Sequence, residues 1–311
     1  MRKKGAALIT GGAGFVGSHL ARRLTRAHDA VSVLVRPSTS LDRLGDLLTK
    51  VRLVYCDLRK PEEVEHALRA VKPRVVYHLA SSYFNPPDLS ARDHYEINVL
   101  GTLNLLEAMR RYDRPHLVFS TSAAECGSGS AITEEAPFRP TVLLGAAKAA
   151  ATMLIRAYGE LYGQSSVILR AYTPYGPADR PGRLVRYVIE RALQGRAVEM
   201  TLGRQKRDFV YVEDVVEAFV RAGRKTRLRG VIVNVSSGRD VPVREVAALI
   251  LKIMGDPVPL KLGRRPQRPD EIPCLSGDPR KAKRILGWRA EISLEEGLRR
   301  TIAWHRSFLK K

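Results

Sequence analysis

Apolar residues arrive along this chain in two alternating rhythms. Short unbroken runs at 6–10, 30–35, 51–56, 74–80 and 116–120 predict strands buried on both faces. Between them the spacing switches to that of helices. Val16, Leu20 and Leu24 share one helical stripe, and Ile97, Leu100, Leu103 and Leu106 share another. A long helix is predicted over 145–162, followed by a strand beginning at 167–169. Strands alternating with helices imply a parallel sheet covered on both faces. The fold class is therefore α/β, a Rossmann-type doubly wound parallel sheet. Such a sheet binds its ligand at the carboxyl ends of the strands.

The texture changes after Tyr172. Pro174, Gly176, Pro177, Pro181 and Gly182 mark a loop-rich exit from the alternating part. A strand is expected at 230–236, an amphipathic helix at 243–254, a proline-rich stretch at 257–279 and a closing helix at 294–308. Residues 1–172 with 207–236 are expected to form a dinucleotide-binding domain. Residues 173–206 with 237–311 then form a smaller, irregular carboxyl-terminal lobe for the substrate.

The first strand runs into Thr10-Gly11-Gly12-Ala13-Gly14-Phe15-Val16-Gly17, which opens the first helix. Glycine is needed here because a side chain would keep the backbone away from a pyrophosphate, and because the turn demands unusual dihedrals. The helix amino terminus adds free N–H groups and a partial positive charge. In this strand-turn-helix context, Gly11, Gly14, Phe15, Val16 and Gly17 are expected to bind a dinucleotide. The second strand ends on Arg36, where an acidic residue would bind the ribose 2′-hydroxyl of NAD. An arginine can take a 2′-phosphate, so NADP(H) is favoured, with NAD the other possibility. The alternative is a surface arginine near the adenine with no selectivity. Asp57 and Leu58, after the third strand, are placed to flank the adenine.

A net charge of +21 over 311 residues favours anionic partners. With no long basic run, an Arg-rich solvated surface is the better reading than a nucleic-acid site, and no nucleic-acid partner is expected. Cys56, Cys126 and Cys274 lie far apart without metal-binding spacing, which fits a reduced, cytoplasmic setting and no metal. The apolar run behind Met1-Arg2-Lys3-Lys4 is too short for a signal peptide. No stretch reaches membrane-spanning length, so no membrane partner is expected.

Taken together, the chain resembles the extended short-chain dehydrogenase/reductases acting on nucleoside-diphosphate sugars: 4-epimerases, 4,6-dehydratases and 4-keto reductases. The likeness covers nearly the whole chain. Its markers are the glycine turn, Val75-Val76-Tyr77-His78-Leu79-Ala80, Asn98-Val99-Leu100-Gly101-Thr102, the stretch 170–177 (RAYTPYGP), the stretch 207–215 (RDFVYVEDV) and Leu286-Gly287-Trp288. The resemblance implies that Leu79, Ala80, Asn98, Lys148 and Tyr172 join the cofactor site. It further implies a homodimer formed through helices at about 95–111 and 145–162.

Family chemistry uses a serine or threonine, a tyrosine, and a lysine four residues after the tyrosine. The serine holds a sugar oxygen, and the tyrosine moves a proton while hydride passes to or from the nicotinamide. The lysine lowers the phenol pKa and holds the ribose. Ser122 falls on the serine and Lys148 on the lysine, but Leu144 stands where the tyrosine belongs. Leucine cannot carry a proton. Tyr83 is the first candidate to replace it, with Tyr172, Tyr175, Glu125 and Cys126 behind. Ala123 and Ala124 stand where dehydratases carry Asp-Glu, which disfavours dehydration; Glu125 is one place late and is expected on the other face of the strand. On the substrate side the resemblance assigns Arg207 and Arg268 to the diphosphate and Ser122 and Thr173 to the sugar end. Asp208 and Asp214 are read as structural partners, and His78 as a core residue.

The expectation is thus an NAD(P)-dependent nucleoside-diphosphate-sugar epimerase or 4-keto-sugar reductase. The alternative is a sugar-nucleotide or dinucleotide binding protein of the same fold that has lost catalysis.

Overall fold

A computed structural model of the chain describes residues 6–27, 30–82 and 90–308. The first half builds the expected alternation: β1 (Ala6–Thr10), α1 (Phe15–Arg26), β2 (Ala30–Val35), β3 (Arg52–Tyr55), α2 (Pro61–Val71) and β4 (Val75–His78). Then come α3 (Ala91–Tyr95), a π-helical turn over Glu96–Leu100 and α4 (Gly101–Arg111), which run on as one rod. β5 (His116–Ser122) ends in a 3-10 turn, Ala123–Glu125, before β6 (Gly129–Ile132), α5 (Leu143–Tyr162) and β7 (Ser166–Ala171).

Short elements follow: β8 (Thr173–Tyr175), α6 (Leu184–Leu193), β9 (Val198–Glu199), β10 (Lys206–Arg207), β11 (Phe209–Tyr211), α7 (Val212–Ala222), β12 (Val231–Val235), β13 (Val241–Pro242), α8 (Val243–Met254), β14 (Leu260–Lys261), β15 (Cys274–Gly277), α9 (Arg280–Leu286) and α10 (Leu294–Phe308).

Seven strands form the central sheet in the order β12-β7-β5-β4-β1-β2-β3, and every neighbouring pair is parallel. Because both faces are covered, the strands need apolar residues on both sides, which is why their sequences run unbroken. One face packs against α1, α7 and α9 through Leu20, Leu24, Val215, Phe219 and Ala282. The other packs against α2, α4 and α5 through Leu68, Leu105, Met109, Ala151 and Ile155. A further core gathers α6, α8 and α10 around Tyr175, Val188, Ile189, Val246, Ile250 and Leu298. Trp288 is buried in the first of these cores and donates its indole N–H to the Asp214 carbonyl at 2.8 Å, which anchors the chain ahead of α10.

The smaller four-stranded sheet, β13-β10-β15-β6, joins the segment after β5 to the region carrying Arg207. Asp208 pins it. Its carboxylate accepts from the Ser237 amide and hydroxyl (2.7 and 2.6 Å) and from the Gly238 amide (3.0 Å), although burial pushes its pKa up. Asp214 similarly accepts from the amides of Glu291 and Ile292 at 3.1 and 2.9 Å. Both aspartates hold backbone segments together.

Candidate active site

The glycine turn joins the carboxyl end of β1 to α1. Gly11 has φ +69°, and a Cβ there would lie 2.6 Å from the Ala80 amide nitrogen. A Cβ on Gly17 would lie 2.2 Å from the Gly11 carbonyl oxygen. Both positions are closed to any side chain. Gly14 differs: it is the N-cap of α1, no side chain caps the helix, and a Cβ would meet only the Gly11 carbonyl oxygen at 3.0 Å. The turn therefore presents an open cradle at an uncapped helix amino terminus, which fits a pyrophosphate. Leu79 and Ala80 continue β4 beside it; their amides bond Thr10 at 3.1 Å each, one to its carbonyl and one to its hydroxyl.

Beneath this turn runs a buried polar chain. Ala80 donates to the Thr10 hydroxyl, which lies 2.6 Å from His78 Nδ1; His78 Nε2 lies 3.0 Å from the Thr102 hydroxyl, which donates to the Asn98 carbonyl at 2.6 Å. With the Thr102 proton already given to Asn98, His78 Nε2 must be the donor and Nδ1 the acceptor. The ring is neutral: burial, with Lys148 adding to it, drops its pKa to about 3. Asn98 sits in the π-helical turn, where its amide donates to the Ser82 hydroxyl and the His94 carbonyl (2.6 and 2.9 Å) and accepts from the Ser81 hydroxyl (2.8 Å). Its side chain thus braces the segment that leaves β4.

Arg36 follows β2 on the surface; it makes no ion pair within 4 Å among the described residues, though, behind Arg59, its charge helps hold the Asp57 carboxyl down. Nearby, Asp57 is gripped by Arg59 in a fork of 3.1 and 2.6 Å, which holds its carboxyl below the ordinary range. Leu58 is buried, and its carbonyl accepts from Asn104.

Ser122 closes β5. Its hydroxyl oxygen accepts from the Ala124 amide at 3.2 Å, capping the 3-10 turn, and among the described residues its proton has no acceptor. Helix α5 is pressed onto that turn, since a Cβ on Gly145 would lie 2.4 Å from the Ala124 carbonyl oxygen. Leu144 and Lys148 follow on one helical face, four residues apart. Lys148 is 4% exposed. Its ammonium donates to the Ser120 carbonyl at 2.9 Å and lies 4.7 Å from the centre of the Phe119 ring. Burial pulls its pKa down to about 8, against an upward push from Glu125.

The candidate stand-ins for the tyrosine are taken up by packing or an ion pair, except Tyr83, which lies outside the described residues. The Tyr172 ring is pressed against Gly277, and its hydroxyl donates to the Ile132 carbonyl at 3.5 Å. Tyr175 donates to the Leu294 carbonyl at 3.1 Å within the α6–α8–α10 core. Burial pushes both phenols up, and the Cys126 thiol up to about 11. Glu125 is fully buried and paired with Arg170 at 2.7 Å. Strand alternation after Ser122 does not apply to Glu125, because β5 has already ended and the chain is in a 3-10 turn.

On the other side, Arg207 and Arg268 converge on one carboxylate. Arg207 pairs with Glu271 Oε1 and donates to the Lys206 and Ile272 carbonyls at 2.8 and 2.7 Å. Arg268 reaches Glu271 Oε2 at 3.4 Å. Glu271 was not singled out in the sequence; its signal was its place three residues after Arg268. Thr173 is half-buried, and its amide donates to the Asp208 carbonyl at 2.9 Å, which ties the β8 end to the Arg207 segment.

Against known proteins, residues 7–236 match the NAD dependent epimerase/dehydratase family. A UDP-glucose 4-epimerase of Azospirillum brasilense is 30% identical, over 96% of this chain and 92% of that protein. The Thermus thermophilus UDP-glucose 4-epimerase, solved in complex with NAD, is 32% identical with a TM-score of 0.86, covering 97% of this chain and 99% of that one. The Thermotoga maritima UDP-glucose 4-epimerase, solved with UDP-glucose, is 28% identical with a TM-score of 0.91, covering 98% and 99%. With the glycine turn, the seven-stranded parallel sheet and these likenesses in agreement, the chain belongs to the NAD-dependent epimerase/dehydratase family of extended short-chain dehydrogenases/reductases.

Proposed function

We propose that the protein is an NAD(P)-dependent enzyme that epimerises or reduces a nucleoside-diphosphate sugar by hydride transfer at a sugar carbon. The observation that carries this reading is the convergence of the open glycine cradle, the Ser122 hydroxyl and the buried Lys148 ammonium on the carboxyl ends of β1 and β5. A bound nicotinamide dinucleotide supplies the hydride donor and acceptor. Lys148 holds the ribose hydroxyls. Ser122 donates to a sugar oxygen, and Arg207 and Arg268 bind the diphosphate. Thr173 lines the sugar end. Leu144 leaves the proton transfer to another group, and Tyr83 is the first choice.

Arg36, exposed after β2 and in no ion pair within 4 Å among the described residues, favours NADP(H) and tilts the reading toward a 4-keto-sugar reductase. The relatives solved with NAD and UDP-glucose keep NAD and epimerisation close behind. The second reading, a binding protein without turnover, rests on Leu144. In either reading, residues 1–172 with 207–236 carry the cofactor, and 173–206 with 237–311 carry the nucleotide sugar. A homodimer through α3–α4 and α5 is supported by an exposed stripe on α5: Leu143, Ala146, Ala150, Met153, Ala157 and Leu161. Across from it, Tyr95 and Leu100 are also exposed. Three free cysteines, two of them buried, suit a cytoplasmic protein.

The test is to denature the purified protein, identify any released dinucleotide, and titrate the stripped protein with NADPH and NADH. Preference for NADPH by tenfold or more, ~1.4 kcal/mol, is expected. Tightly held NAD⁺ would instead mean that the cofactor recycles in place, as an epimerase requires, and would retire the role given to Arg36. Failure to bind either dinucleotide would sink the reading.

A further inference from the structure

Glu125 takes no part in the site as proposed, yet it is the most enclosed charge beside it. Its side chain and that of Arg170 are both 0% exposed. Oε1 accepts from Arg170 Nε at 2.7 Å, and Oε2 accepts from the hydroxyls of Thr121 and Thr152 at 2.5 and 3.1 Å. Both threonines flank the anchors of Lys148. Thr152 follows it by one turn on α5, and Thr121 follows Ser120, whose carbonyl takes the Lys148 proton. The carboxylate therefore stands between the two elements that hold the lysine.

Among the described residues, the ionisable groups linked electrostatically to Lys148 are His78 and Glu125. His78 on β4 is neutral. Cys126, after the 3-10 turn, is un-ionised, and Arg170 on β7 is committed to Glu125. Among the described residues, Glu125 is the anion that opposes the desolvation of the ammonium.

We propose that Glu125 is a positioning residue: through Thr121 and Thr152 it fixes α5 against β5, and its charge keeps the Lys148 ammonium intact for the dinucleotide ribose. The inference rests on the ribose-binding reading of Lys148, but its content, the charge on that lysine, is measurable without any sugar nucleotide. A purely structural brace would leave the titration of Lys148 unmoved.

The experiment is a ¹³C NMR titration of the whole protein with lysines labelled at Cε, the Lys148 signal being assigned from Lys148→Arg. The wild-type midpoint is expected near 8. Glu125→Gln removes the charge and keeps the shape, and the midpoint should fall by about one pH unit or more, a tenfold change in the proton-binding constant. NADPH affinity falls as pH rises through the midpoint, so its loss should set in at correspondingly lower pH. Because Glu125→Gln strands Arg170, the double change Glu125→Leu with Arg170→Met removes the pair as a unit. It should fold and show a smaller shift in the same direction. An unchanged Lys148 midpoint in either folded variant overturns the proposal, whatever the protein does with a sugar nucleotide. A shifted midpoint in a protein that turns over no sugar nucleotide upholds the role of Glu125 and counts against the proposed function instead.

Discussion

Glu125 and Glu271 each hold arginine in this molecule, and they do so in opposite ways. Glu125 meets Arg170 where both side chains are fully buried, and both its oxygens are occupied, one by the guanidinium and the other by two threonine hydroxyls. Glu271 meets Arg207 and Arg268 near the surface, where Arg268 is about half exposed. Asp270 also faces Arg268 at 3.8 Å, so two carboxylates balance the two cations there. The first arrangement is sealed from solvent, so although Arg170 Nη2 lacks a partner among the described residues, its role is to set the positions of β5, β7 and α5. The second is open to solvent at Arg268, so a diphosphate can reach that guanidinium and exchange for its long contacts with Glu271 and Asp270. The difference is one of saturation and exposure, and each side of it can be broken separately.

The largest effect is expected on the saturated side, at the position one turn before Lys148. Leu144→Tyr supplies the phenol that the residue pattern lacks. If the missing proton carrier is what limits the protein, turnover of a suitable sugar nucleotide should rise by ~10²–10⁴-fold. Initial rates with UDP-glucose and with keto-sugar nucleotides would show it. Little or no gain, together with loss of activity in Tyr83→Phe, would assign the proton transfer to Tyr83. No effect from either change would remove both assignments.

Next in size is the ion pair itself. Arg170→Met leaves Glu125 charged and uncompensated in the interior, which should destabilise the fold by about 3–5 kcal/mol in urea unfolding. The same change paired with Glu125→Leu should recover much of that loss, because the desolvation of both charges disappears together. A single variant as stable as the wild type would mean that water reaches the pair, and the contrast with Glu271 would collapse.

What the sequence made legible follows the same division. The strands of the central sheet stand out because burial on both faces forces continuous apolar runs such as Val75-Val76-Tyr77. The glycine turn stands out because steric exclusion is absolute at Gly11 and Gly17. The π-helical turn at Glu96–Leu100 does not, since Ile97, Leu100 and Leu103 read alike in an α-helix. The two-residue strands β9, β10, β13 and β14 are too short for any period. Glu125 illustrates the deeper limit. A carboxylate near a strand end reads as polar and exposed, and nothing local announces a partner 45 residues away on β7. Glu271 was hidden differently: its arginines were visible, but their convergence on it is a property of the fold.

The smallest expected effects lie on the exchangeable side, and they grade with burial. Arg207 is 15% exposed at the side chain and fixed by two backbone carbonyls, so its guanidinium is already oriented before any ligand arrives. Arg207→Met should weaken UDP-glucose binding in calorimetry by about 1.5–3 kcal/mol, the range for hydrogen bonds to charged groups. Arg268 is about half exposed, and its 3.4 Å contact with Glu271 is long. Solvent screens it, and ordering its side chain opposes part of the gain. Arg268→Met should therefore reduce affinity by about 1 kcal/mol or less, with almost no change in unfolding free energy. Raising the salt concentration should weaken the contribution of Arg268 more than that of Arg207, because screening acts mainly on exposed charge. If both substitutions leave binding untouched while lowering stability, Glu271 and its arginines form a structural brace like that of Glu125, and the diphosphate must be held elsewhere.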